Sequence, residues 1–98
     1  MLRPTLLVLL LAASLPNLHA QKWKKYEVQA DTLLGQENYE QAVKLYTKAI
    51  KSSKLRTDDA YNSLYKRAVC FYYLDKATAA LTDLEKFINK FPKIYQSR

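Results

Sequence analysis

One pattern of residues is written twice in this chain, 38 residues apart. Tyr26, Ala30, Leu33, Ala42, Tyr46 and Ala49 recur as Leu64, Ala68, Phe71, Ala80, Leu84 and Phe87, with the same order of spacings, 4, 3, 9, 4 and 3. Intervals of three and four place side chains on one face of a helix, and an interval of nine carries the chain through a turn into a second helix. Each copy is therefore a helical hairpin with one small, apolar face. A lone hairpin has too little partner surface to bury that face, so the pattern predicts two hairpins stacked on each other. The fold class is all-α, an α-solenoid, and no strand-like alternation competes with it. Solenoids usually bind rather than catalyse.

Local signals divide the copies into helices. The first runs from about Lys24 to Leu34, and Gly35, the chain's one glycine, suits its end. Gln36-Glu37-Asn38 turns into a second helix from Tyr39 to Ser52, and residues 52–57 link the copies. Thr57 or Asp58 caps a third helix, with Asp58 and Asp59 at its positive end, reaching Leu74. Asp75-Lys76 leads to a fourth, Ala77 to Asn89, which Phe91-Pro92 stops. Ile94-Tyr95 reads as the start of a short fifth helix.

Residues 1–20 differ in character. A basic start, Met1-Leu2-Arg3, precedes an apolar run from Thr5 to Leu15, then Pro16-Asn17 and Leu18-His19-Ala20. This is the layout of a secretory signal peptide cut after Ala20. The run is shorter than the roughly 20 residues a membrane span requires. An uncleaved signal-anchor is the alternative. Cleavage leaves residues 21–98 as one small domain with no transmembrane segment, directed to the secretory pathway.

The remaining chemistry excludes more than it offers. Cys70 is the only cysteine and sits in an apolar helical stretch, so it reads as a small buried hydrophobe. The only histidine, His19, leaves with the signal. No glycine-rich phosphate loop and no nucleophile with a base at workable spacing is present, so neither an enzyme, a metal nor a cofactor is expected. The formal charge of +7 is carried largely by lysines, among them Lys44, Lys48 and Lys51 on one helix face and Lys86, Lys90 and Lys93 on another. These read as solvated faces, with an anionic lipid or glycan surface as the sharper alternative. A nucleic-acid partner does not fit a secretory address.

The two copies resemble tetratricopeptide repeats, a family of 34-residue helix-turn-helix units with small residues where the two helices meet. Repeat 1 covers about residues 23–56, beginning at Trp23, and supplies Tyr26, Ala30, Leu33, Ala42, Tyr46 and Ala49, with Asn38-Tyr39 before its second helix. Repeat 2 covers about residues 61–94, beginning at Tyr61, and supplies Leu64, Ala68, Phe71, Ala80, Leu84 and Pro92. Lys54 stands in place of the first proline, Phe87 in place of a small residue, and four extra residues separate the copies. More narrowly, Tyr65-Lys66-Arg67-Ala68 followed by Ala79-Ala80-Leu81-Thr82-Asp83-Leu84 looks like the first repeats of endoplasmic-reticulum DnaJ-type co-chaperones, although the J domain is absent. That resemblance implies a holder of unfolded or extended polypeptide in the lumen, unable to stimulate an Hsp70.

In the family, the first helix of each repeat lines a concave groove. The resemblance places Lys24, Glu27, Asp31, Leu34 and Gly35 there from repeat 1, and Asn62, Tyr65, Val69, Tyr72 and Tyr73 from repeat 2. Glu27 and Asp31 stand where the family's carboxylate clamp needs Lys and Asn, so an acidic tail is not the expected ligand. The expected partner is a protein or peptide segment held by the tyrosine end. Alternatively, Tyr72 and Tyr73 cover the next helix, and the groove and open ends serve a scaffold that joins partner subunits or copies of itself.

Overall fold

The computed structural model describes residues 18–92, with side chains from residue 22 onward. Four α-helices make two hairpins: α1 (Leu18–Gly35) with α2 (Tyr39–Ser53), and α3 (Asn62–Tyr73) with α4 (Ala77–Lys90). A single 3₁₀ turn, Asp59–Tyr61, leads into α3. The fold is all-α with the tetratricopeptide-like hairpin form expected, and no strand occurs among the described residues.

The doubled apolar pattern makes the core. Ala30, Ala42 and Tyr46 of the first hairpin enclose Cys70 of α3, with Leu33, Leu34, Tyr39, Val43 and Leu45 around them. Ala30 and Ala42 have no exposed surface, and residues this small let helices approach closely. A second cluster joins Trp23, Ala49 and Ala60, flanked by Tyr26 and Leu55. Cys70 and Ala60 come from the second copy's side, so the seam between hairpins is part of the core.

The helices differ from their expected bounds in instructive ways. α1 begins at Leu18 rather than Lys24. Residues 18–23 contain no proline or glycine, so nothing stops a helix anchored by buried Trp23 from extending back through them. The proposed leader lies outside the described residues except for this last turn, as does the expected helix start at Ile94-Tyr95.

The α1–α2 turn does not use Gly35 in a left-handed conformation. Glu37 takes it instead, at φ 60°, and Asp75 takes it at φ 59° in the second hairpin, 38 positions later. Asn38 N–H donates to Leu33 O at 2.8 Å and Glu37 N–H to Leu34 O at 2.9 Å. Lys76 N–H donates to Phe71 O at 2.8 Å and Asp75 N–H to Tyr72 O at 3.1 Å. Both hairpins thus close through the same Schellman motif. In the linker, neither Thr57 nor Asp58 caps α3 as expected, because the 3₁₀ turn intervenes and Tyr61 holds the position before the helix; Thr57 Oγ1 instead accepts from Ala60 N–H of that turn at 3.3 Å.

Candidate functional site

The residues assigned to one groove fall into two environments. Glu27 does not line an open surface, because it is 1% exposed beneath α3. One carboxylate oxygen accepts from Lys24 Nζ at 2.8 Å and the other from Ser63 Oγ at 2.9 Å, with Lys66 Nζ 3.9 Å away. Asp31 accepts from the Tyr46 hydroxyl at 2.6 Å and from Lys66 Nζ at 3.2 Å. The expected acidic end is therefore a neutralised cluster in which two carboxylates face two lysines. Its work is to bind α3 to the first hairpin.

Lys24, Tyr46 and the nearby Cys70 hold their protons more tightly than usual. The Glu27 hydrogen bond raises the Lys24 pKa against the weaker opposing effect of burial. Burial, reinforced by the Asp31 hydrogen bond, holds the Tyr46 hydroxyl far above the usual phenol range. Burial alone pushes the Cys70 thiol up to about 11. Leu34, another expected groove residue, packs against the core around Cys70, and Asn62 lies exposed at the start of α3.

The tyrosine end is different. Tyr65, Val69, Tyr72 and Tyr73 converge on one side of α3, facing Ala77, Leu81 and Leu84 of α4 across a cleft of about 460 Å³ floored by Ala68 and Ala80. Tyr65 is 48%, Tyr72 70% and Leu81 58% exposed. Tyr73 is partly committed: its ring stacks on Tyr39 at 4.9 Å, clamping the ends of the two hairpins together. Tyr65 leans on Phe87 at 5.6 Å, which fixes one wall of the cleft. Sequence reasoning named the α3 wall. It did not name the α4 wall, whose signal was the pair Leu81 and Leu84 on the same face as Ala77.

A separate depression gathers Lys22, Lys48, Lys51 and Lys54 around Tyr26, with Lys48 Nζ 5.9 Å from the Tyr26 ring. It is a basic surface on the first hairpin. Among the described residues, no three His, Cys, Asp or Glu side chains group as metal ligands do, and no helix is long and apolar enough to cross a membrane.

No curated protein and no solved structure matches the chain. Residues 62–93 do match the family model described as Tetratricopeptide repeat. That span takes in α3, α4 and both walls of the cleft, which supports the tetratricopeptide superfamily, whose repeats are typically non-catalytic modules for binding proteins or peptides.

Proposed function

We propose that the chain is a protein-interaction module that takes an apolar segment of another polypeptide into the cleft between α3 and α4. In its finer form the reading is a chaperone-like holder of unfolded or extended polypeptide in the endoplasmic reticulum lumen. The resemblance of the second repeat to lumenal co-chaperones supports that form, as does the signal-like leader.

One observation carries the proposal. Tyr65, Tyr72 and Leu81 stand exposed around a single cleft, although exposed apolar side chains that cluster in this way are normally covered by something. Tyrosine supplies large contact area with few rotatable bonds and a polar tip, which suits segments of varied sequence.

A labelled, reduced and carboxymethylated polypeptide is the probe. Its fluorescence anisotropy should rise on titration with the chain, and Tyr65→Ala with Tyr72→Ala should weaken binding roughly tenfold or more. Binding that ignores both substitutions removes the cleft from the account. Binding that collapses with salt and depends on Lys48 and Lys51 transfers it to the basic depression and an anionic lipid or glycan.

A second reading, an assembly scaffold without client selectivity, is favoured by how the first hairpin is covered. The surface of repeat 1 equivalent to the cleft already holds a folded helix, α3.

A further inference from the structure

We infer that the occupant of the cleft is α1 of a second copy of the chain, docked head to tail as α3 docks on the first hairpin. The inference rests on the reading of the cleft as a polypeptide-binding surface and names what fills it. Its basis is a comparison of residues 38 positions apart across two interfaces, one formed within the chain and one open.

Within the chain, Lys66 of α3 reaches Asp31 of α1 at 3.1 Å. The residues 38 positions earlier and later are Val28 and Val69. A cation facing an anion is thus replaced by valine facing valine, so both sides change together. Arg67 Nη1 donates to Thr47 Oγ1 at 3.2 Å, and the equivalent pair is Gln29 with Glu85, again a donor opposite an acceptor. The stacked rings of Tyr73 and Tyr39 become Gly35 and Ala77, both small. Three matched exchanges keep the open interface complementary without copying its residues.

Among the described residues, nothing covers either open face. Lys25, Val28, Gln29, Thr32 and Gly35 are all exposed on α1, and Val28 is 53% exposed beside a shallow groove with Lys24 and Lys25. A side chain at Gly35 would meet nothing within 4 Å. Because the two faces are different surfaces of one molecule, the contact is heterologous and extends the solenoid from copy to copy, into a ring or an open filament. Unfolded polypeptide and α1 then compete for the same cleft, so assembly stores the binding surface covered until a client displaces the neighbour.

Sedimentation velocity of the full chain over a rising concentration series tests this. The wild type should associate. Val28→Lys and Val69→Asp should each weaken association roughly tenfold or more, by setting a charge against an apolar wall. An equimolar mixture of the two variants, and the double variant alone, should associate again, because each recreates the Lys66–Asp31 pairing between copies. Loss of helix stability in one variant cannot produce such a rescue. A wild type that stays monomeric while still binding unfolded polypeptide through Tyr65 and Tyr72 overturns the self-docking and leaves the cleft's function standing. Association that survives Val28→Lys, or that the mixture fails to restore, overturns it as well. If neither copies nor unfolded polypeptide bind, both readings fall together.

Discussion

Arg67 grips Asp83 through two parallel hydrogen bonds, Nε to Oδ2 and Nη2 to Oδ1, each 2.7 Å long. The fork joins α3 to α4, and the third arm of the guanidinium reaches Thr47 on α2. Phe71 lies 5.6 Å beneath the guanidinium. Asp83 is only 4% exposed, and the fork occupies both of its oxygens. Asp83→Ala should cost about 3 kcal/mol, since it takes both carboxylate bonds from a guanidinium that is 19% exposed and keeps only Thr47. Replacing both residues with apolar ones, Arg67→Met with Asp83→Leu, should recover most of that loss. Urea denaturation reads both changes, and a loss under about 1 kcal/mol for Asp83→Ala would show the pair to be solvated.

The two hairpin turns offer a gain instead of a loss. Glu37 and Asp75 occupy the left-handed region, where a Cβ crowds the following carbonyl. Glycine has no such penalty. Glu37→Gly and Asp75→Gly should each stabilise the fold by about 0.5–1 kcal/mol in thermal melts. Glu85→Gly, on the exposed middle of α4, is the control and should destabilise by a similar amount. Equal losses at all three positions would mean that the turns are not built as described.

Alkaline pH should weaken the fold. Burial raises the Cys70 thiol from its ordinary 9.0 to about 11, so the folded state holds this proton more tightly than the unfolded chain. The resulting stability is complete below about pH 9 and is lost as the pH climbs through the folded value near 11, at about 1.4 kcal/mol per pH unit. The raised values of Tyr46 and Lys24 act in the same direction higher on the scale. Unfolding free energy measured from pH 8 to 11 should fall, and Cys70→Ala should flatten the slope between pH 9 and 11. An unchanged slope would place the thiol outside the core. In the native state at neutral pH, the same thiol should react with aromatic disulfides far more slowly than in urea.

The helices and the core were legible because they depend on periodicity. Ala30, Ala42, Tyr46, Ala49, Leu64, Ala68 and Ala80 recur at helical spacing, and all are buried. The polar seam was not legible for a related reason. Glu27, Ser63 and Asp83 are buried too, but a carboxylate at helical spacing looks the same whether it faces solvent or a lysine on another element. Glu27 meets Ser63 36 positions away, and that distance in sequence carries no local signal. The left-handed turn residues carry no such signal: glycine stands at position 35, whereas the hydrogen-bonding of the turn places the strained residue two positions later. The tyrosine cleft was half visible: the α3 residues stood out as aromatics, and the α4 wall is ordinary leucine and alanine.

Glu27 and Ser63 provide the sharpest test of how the hairpins are joined. Ser63 has no exposed surface, and its hydroxyl donates to Glu27 Oε2 at 2.9 Å. Glu27→Leu alone strands that hydroxyl against an apolar side chain and should cost about 1–3 kcal/mol. Lys66→Ala should cost less, about 0–1 kcal/mol, because Lys66 is 32% exposed and Asp31 keeps the Tyr46 hydroxyl. Glu27→Leu with Ser63→Ala removes both polar partners at once and should restore much of what the single change took. The expected coupling between positions 27 and 63 is therefore positive and measurable by a double-mutant cycle in urea. Strictly additive losses would mean that α3 rests on the first hairpin through Cys70 and its apolar neighbours alone, with the polar seam contributing nothing to the joint.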